Sequence, residues 1–314
     1  MKRPPVDAIG LVGAGAVGQT VATALCTAGL SERLLITSRT DDQALALVAD
    51  IDDLSEATRA PTRPQATTTT GMHACRAIVI AARASFTNTA RTDIRMAGAA
   101  ANAPVIIRLA HQLRGYTGTV LMVTNPVDLM TRLFAEISGC PRVYGIGSNL
   151  DSARYRHTLA RHLTVPATAI RGHVIGEHGD GAVICASTTT VNGQTVPLPL
   201  QQTRDELRAR ASRISAGIGR TRCGPAGAVL SALRKALALD DGLEELSASY
   251  DSGCFLGLPL RFDRGQSAVC LPALSNAEQQ QFTAARHKLH AAYQDLTTQL
   301  GTTVPSLTAS ERTP

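Results

Sequence analysis

The sequence predicts an α/β protein, in which a doubly wound parallel sheet is followed by an α+β region. Three observations carry that expectation. Short β-branched runs alternate with longer Ala/Leu-rich amphipathic stretches through the first half. A glycine-rich turn joins the first run to the first helical stretch. After about residue 148 the regular alternation gives way to mixed strands and helices.

Taken in order, "AIGLV" (8–12), "LLIT" (34–37), "AIVIAA" (77–82), "VLMVT" (120–124) and "RVYGIG" (142–147) read as strands. The stretches 17–29, 41–57, 91–114 and 126–139 between them read as helices. Strand, helix and strand in repetition imply a parallel sheet covered on both faces. "TTTT" at 67–70 reads as an exposed strand or turn. Beyond 148 a helix (151–163) precedes β segments at 171–176, 182–191 and 194–198. Helices at 201–218 and 225–239, a β stretch at 252–271 and a last helix at 275–300 complete the chain.

Composition narrows the function. Apolar residues make up 44% and charged residues 18%, an ordinary globular balance with room for a large core. The net charge of +6 suits attraction of small anions, whereas 3% aromatics without Trp leave no stacking platform among the basic residues. No nucleic-acid partner is expected. The start, "MKRPPVDAIGLVGAG", is basic and then apolar, but glycines break the run and it leads into a patterned element, so it reads as a strand and not a signal peptide. No uninterrupted apolar run reaches the ~18 residues of a membrane span, and a cytoplasmic protein is expected. The seven cysteines are scattered with no CxxC pair, which indicates neither a disulfide framework nor a metal site.

"GLVGAGAVGQ" places Gly13, Gly15 and Gly18 in a G-x-G-x-x-G between strand and helix. The first glycine permits a tight turn, the second lets a pyrophosphate approach, and the third lets the helix pack closely. With Ala16 and Val17, these residues offer helix-N-terminal amides to an anion. A Rossmann-type dinucleotide-binding region over 1–147 follows, and a catalytic region over 148–314. A site for NAD ends its second strand in Asp or Glu, about twenty residues after the glycines, to hold the ribose hydroxyls. Here that place reads Ser38-Arg39-Thr40. Hydroxyl donors and a planar guanidinium match a 2′-phosphate, so NADP(H) is predicted over NAD(H). Asp41 and Asp42 keep NAD(H) as the alternative, because either carboxylate could still reach a ribose.

The second half carries "GEHGD" (176–180), in which glycines flank His178, and "NLDSARYR" (149–156), with Asp151 and Arg154. "VTNPVD" (123–128) ends a strand at Asn125, and Arg91 follows the loop "ASFTNTA". Histidine exchanges a proton near neutral pH, and an aspartate can orient it. A fixed arginine can hold a carboxylate bidentately, and one on a loop can polarise a carbonyl. His111, His157, His162 and His173 lack such neighbours in the sequence.

The set "GAGAVG", "TNPVD", "NLDSARYR" and "GEHGD", in this order and spacing, resembles the L-lactate/malate dehydrogenase family. The likeness runs through "SGCFLGLPLRFDRGQSAVCLP" near the end. It implies hydride transfer between a nicotinamide and C2 of a 2-oxo or L-2-hydroxy acid. His178 would be the acid/base, Asp151 its partner, Arg154 the carboxylate anchor and Arg91 the polarising arginine. Asn125 would bind the substrate hydroxyl and contact the cofactor, and Thr221 would line the pocket. A homodimer or homotetramer is implied as well. The chain departs from the family at Ser85, which counts back from Arg91 to the specificity position usually held by Arg or Gln. A hydroxyl there favours a neutral 2-oxo acid over oxaloacetate, although Arg83 or Arg222 could supply a charge from another direction. Ala82 replaces a usual glycine, and the loop after it lacks one. The alternatives are a malate or lactate dehydrogenase using NAD and a non-catalytic dinucleotide-binding regulator.

Overall fold

The computed structural model describes residues 4–87, 90, 93–251 and 253–301. Six parallel strands form the first half: β1 (Val6–Val12), β2 (Ser31–Thr37), β3 (Arg63–Ala66), β4 (Ala77–Ile80), β5 (Thr119–Met122) and β6 (Arg142–Gly145). Their spatial order is β3-β2-β1-β4-β5-β6, so the chain reverses direction between β1 and β4. The connecting helices are α1 (Ala16–Ala28), α2 (Asp41–Thr58), α3 (Ala99–Gln112) and α4 (Val127–Ser138). β4 and β5 are buried at every position, as strands covered on both faces must be. A ligand cleft is expected where the strand order reverses, at the carboxyl ends of β1 and β4.

The second half continues the same sheet. After α5 (Ser148–Leu163) come β7 (Ile170–Arg171), β8 (Val174–Gly176), β9 (Ala182–Ile184) and β10 (Thr190–Val191). Helices α6 (Leu200–Ile218) and α7 (Cys223–Ala236) precede β11 (Gly242–Tyr250), β12 (Cys254–Asp263), β13 (Gln266–Val269) and α8 (Asn276–Leu300). β11, β12, β8 and β9 extend the sheet beyond β6 with antiparallel pairing, and β7 pairs with β10 apart from it.

Four elements differ from the sequence pattern. β3 precedes the "TTTT" run and contains Pro64, which an edge strand tolerates. The segment 194–198 forms a single bridge to Val191 and no strand. The helix expected from 91 begins at Ala99, because Asp93 takes a left-handed backbone (φ 45°) and a short 3-10 turn, Met96–Gly98, intervenes. β11 went unread because its centre carries Glu244 and Glu245. Both are buried: Glu244 accepts from Asn149 and Ser231, and Glu245 pairs with Arg156 and His173.

A row of small residues crosses the junction of the two halves. Gly145 of β6 pairs with Ser247 of β11, Ser247 with Gly257 of β12, and Gly257 with Gly176 of β8. A Cβ at Gly257 would lie 1.7 Å from Ser148 Oγ and 3.0 Å from the Gly176 carbonyl oxygen. The missing side chains let the start of α5 rest directly on the sheet. Gly257→Ala is therefore expected to destabilise the fold by about 1–3 kcal/mol through overpacking against Ser148 and the Gly176 carbonyl. Denaturant unfolding measures this, and an unchanged midpoint would contradict the close approach.

Candidate active site

The glycine turn opens onto a cleft at the reversal of strand order. Gly13 has φ 111°, and a Cβ there would lie 2.9 Å from Ala82 N. One at Gly18 would lie 1.8 Å from the Gly13 carbonyl oxygen. At Gly15 nothing lies within 4 Å of the same position, and this residue caps α1 without a side-chain hydrogen bond. The orphan amides of the first turn, those of Ala16, Val17 and Gly18, thus begin beside open space suited to an anion. The cleft holds about 910 Å³ and is lined by Gly13, Ser38, Arg39, Ala82, Ser85 and Arg108 among others. Ser38 Oγ accepts the Ala14 amide at 3.2 Å and donates to Gln43 Oε1 at 3.0 Å. Thr40 is the N-cap of α2, accepting the Gln43 amide at 3.3 Å. Arg39 is exposed on the cleft wall. These groups fit a dinucleotide whose pyrophosphate lies at α1 and whose adenosine end lies at β2.

The charged centre lies beyond β6, where α5 begins. Asp151 Oδ2 accepts from His178 Nδ1 at 2.6 Å, and Arg154 Nη1 lies 3.4 Å from Asp151 Oδ1. With Nδ1–H engaged, Nε2 is the imidazole nitrogen left to exchange a proton. The His178 amide donates to Asp128 Oδ2 at 2.8 Å, which ties the GEHGD turn to the first turn of α4. Gly147 gives the ring its seat, because a Cβ there would lie 2.4 Å from His178 Cγ.

Burial disfavours the imidazolium, and the charge of Arg95 adds to that, so His178 titrates below 6.5 although Asp151 pulls the other way. Burial alone would raise Asp151. The charge and hydrogen bond of His178, with Arg95 and Arg154, outweigh it and hold the carboxyl at about 2. Asp128 is pushed up to about 7 by burial, against the hydrogen bond from the His178 amide. Among the described residues, no three His, Cys, Asp or Glu side chains converge on a metal position.

His178, Asp151 and Arg154 come together. Asn125 is exposed at the end of β5, and its carbonyl accepts Asn102 Nδ2 at 2.7 Å. Ser85 is exposed and lines the dinucleotide cleft. Arg83 stacks over the Phe86 ring at 4.5 Å. Thr221 lies half-buried between α6 and α7. Arg91 lies outside the described residues. Arg95, four positions on, is the arginine whose charge acts on His178, Asp151 and Arg154 together. Sequence reasoning missed it, and missed Asn102, whose Oδ1 also accepts the Ala84 amide at 2.9 Å. The signal present was Arg95 itself, a second arginine after the same loop.

Residues 8–147 match the family model described as lactate/malate dehydrogenase, NAD binding domain. An L-lactate dehydrogenase of Deinococcus radiodurans is 31% identical over 309 residues, covering 92% of this chain and 99% of that protein. An L-lactate dehydrogenase of Limosilactobacillus reuteri is 31% identical over 313 residues, covering 93% and 95%. Among solved structures, a minor L-lactate dehydrogenase of Enterococcus mundtii aligns with a TM-score of 0.85 at 22% identity, covering 92% of this chain and 98% of that one. A malate dehydrogenase of Cryptosporidium parvum aligns with a TM-score of 0.84, also at 22% identity, covering 93% and 99%. These two show the shared fold.

Titration of the His178 imidazole by NMR tests the charged centre without any substrate. The midpoint is expected below 6.5. Asp151→Asn removes the group that favours the charged form and should lower it further. Arg95→Ala removes a repelling cation and should raise it. A midpoint above 6.5 in the unmodified protein, or no response to Arg95→Ala, would contradict this arrangement.

Proposed function

The chain belongs to the lactate/malate dehydrogenase family, and we propose that within it the protein is an L-stereospecific 2-oxo-acid reductase that prefers NADPH to NADH. Membership carries the coarser statement, an oxidoreductase of 2-hydroxy acids that uses a nicotinamide dinucleotide. The observation behind the proposal is the His178–Asp151 contact at 2.6 Å beside Arg154 and within the field of Arg95.

When bound, the cofactor supplies the hydride taken up at C2. Arg154 holds the substrate carboxylate. Arg95 polarises the carbonyl oxygen, a role the family resemblance implies for Arg91. His178 Nε2 gives the proton to that oxygen as it becomes a hydroxyl, and the neutral imidazole left behind keeps its Nδ1–H on Asp151. In oxidation the same nitrogen takes the proton back. Asn125 orients the hydroxyl, and Thr221 closes the pocket wall.

The NADPH preference rests on the hydroxyl of Ser38, the exposed guanidinium of Arg39 and the absence of a carboxylate at the end of β2. Thr40 adds a hydroxyl whose oxygen accepts the Gln43 amide and whose proton is left to donate, whereas the Ser38 proton would have to leave Gln43 Oε1. A neutral 2-oxo acid is the proposed substrate, supported by relatives named L-lactate dehydrogenase. A second reading, a substrate bearing a further anionic group, is favoured by Arg210 of α6, whose charge reaches Arg154. The proposal includes a cytoplasmic homodimer or homotetramer. Among the described residues no helix is long and apolar enough to cross a membrane. Absence of turnover with every 2-oxo acid would favour a non-catalytic dinucleotide-binding regulator instead. A panel of neutral 2-oxo acids and oxaloacetate, each with NADPH and NADH, decides among these readings.

With the best acid, kcat/KM for NADPH is expected to exceed that for NADH by at least about tenfold, because charge-assisted contacts are worth about 1.5–3 kcal/mol. Ser38→Asp should invert the preference by repelling the 2′-phosphate. Equal use of both cofactors by the unmodified protein would reject the NADPH assignment.

His178→Asn should lower kcat by about 10²–10⁴ while NADPH affinity stays intact. Arg95→Ala should cost more turnover than Arg91→Ala. The opposite order would return the polarising role to Arg91, and parental turnover in His178→Asn would place the proton transfer on another group.

A further inference from the structure

Three carboxylates and one lysine join the His178 turn to the segment that carries Arg95. Glu177, adjacent to the catalytic histidine, is buried, and its Oε2 accepts the Gly181 amide at 2.9 Å. From α8, the Lys288 ammonium donates to Glu177 Oε1 and Oε2 at 3.0 and 2.9 Å. The same ammonium donates to Asp93 Oδ1. Asp93 is the pivot of its segment. Its carbonyl accepts the amides of Met96 at 2.8 Å and Ala97 at 3.3 Å, closing the turn on which Arg95 stands. Its own amide donates to Asp180 Oδ2 at 3.2 Å, and its backbone is left-handed, a conformation that persists where the surroundings fix it.

We propose that Lys288 is a positioning residue, a latch that draws Asp93 onto Glu177 and so sets Arg95 against His178. Taken as the carbonyl-polarising arginine, Arg95 ties this inference to the reading above, but its electrostatic part stands without it. Charge explains why the latch is more than a tether. Glu177 and Asp93 share one cation, so without the ammonium a buried carboxylate would face a second one. Attraction would become repulsion, and the 93–96 segment would leave the His178 turn. Lys288 is 195 residues from Asp93 in sequence and lies on the last helix, so the packing of α8 decides whether the active site is assembled.

The experiment combines Lys288→Met, Lys288→Arg, Asp93→Asn and the Lys288→Met/Asp93→Asn pair, read by NMR titration of His178 and by steady-state kinetics. In Lys288→Met the His178 midpoint should rise in the direction produced by Arg95→Ala, and it should rise no further when Lys288→Met is added to Arg95→Ala. With the preferred 2-oxo acid, kcat should fall about tenfold to a hundredfold, the usual cost of a small misplacement of a catalytic group. NADPH affinity should change less than about twofold, because no residue of α8 lines the dinucleotide cleft. Lys288→Arg should restore most of the turnover. Asp93→Asn added to Lys288→Met should recover part of the loss by removing the repulsion, which a simple loss of fold stability would not do. An unchanged His178 titration in Lys288→Met, or a further loss in the double variant, overturns the latch. If Lys288→Met does not fold, Asp93→Asn alone must raise the His178 midpoint, and failure to do so overturns it equally. Absence of turnover in the parent would count against the proposed activity, whereas the titration would still decide the latch.

Discussion

Asp151 accepts the His178 Nδ1–H at 2.6 Å and lies 3.4 Å from Arg154, so one carboxylate is shared by an imidazole and a guanidinium. The His178 contact and the charges of Arg95 and Arg154 favour its ionised form against the cost of burial. The arrangement constrains everything around it. A charge this deep is tolerated only when paired and hydrogen-bonded, so α5, the GEHGD turn and the Arg95 segment have to meet at one point. The fold supplies that meeting point by omitting side chains. Gly147 leaves room for the imidazole, and Gly257 lets α5 lie against the sheet. The catalytic geometry is thus a packing property of the junction between the parallel and antiparallel halves of the sheet.

His178 is kept neutral in the free site by burial and by Arg95. Under the proposed function an anionic substrate would alter that balance. Its carboxylate would offset the charge of Arg154 and Arg95, make the imidazolium easier to form and so couple binding to proton affinity.

Much of this was legible in the sequence, for physical reasons. The G-x-G-x-x-G turn is local: Gly13 is demanded by its own positive φ and Gly18 by the Gly13 carbonyl five residues back, and that demand shows as residue type and spacing. Asp151 and Arg154 stand one helical turn apart on α5, so their shared face follows from periodicity. Other features depend on distant partners. β11 hides behind Glu244 and Glu245, whose burial makes sense only once Asn149, Ser231, Arg156 and His173 are in place. Arg95 gave no positional signal of its own, because a loop has no repeat to fix its register. Its place depends on Asp93, and Asp93 depends on a lysine from the last helix.

The loop between β4 and α3 is accordingly fixed at both ends by unrelated means. At its start Asn102 holds the Ala84 amide and the Asn125 carbonyl, joining the strand ends that frame the nicotinamide side of the cleft. Phe86 packs against Gly98, where a Cβ would come within 2.8 Å of the ring, and Arg83 stacks over the ring. At its end Asp93 is bound to the His178 turn through Lys288 and Asp180. The first set of contacts belongs to the parallel sheet and the second to the antiparallel half. A displacement of one half against the other would pull on Asp93 before it reached Asn102. The segment that carries Arg95 is therefore tied to the antiparallel half, and Asn125 to the parallel sheet, through separate contacts.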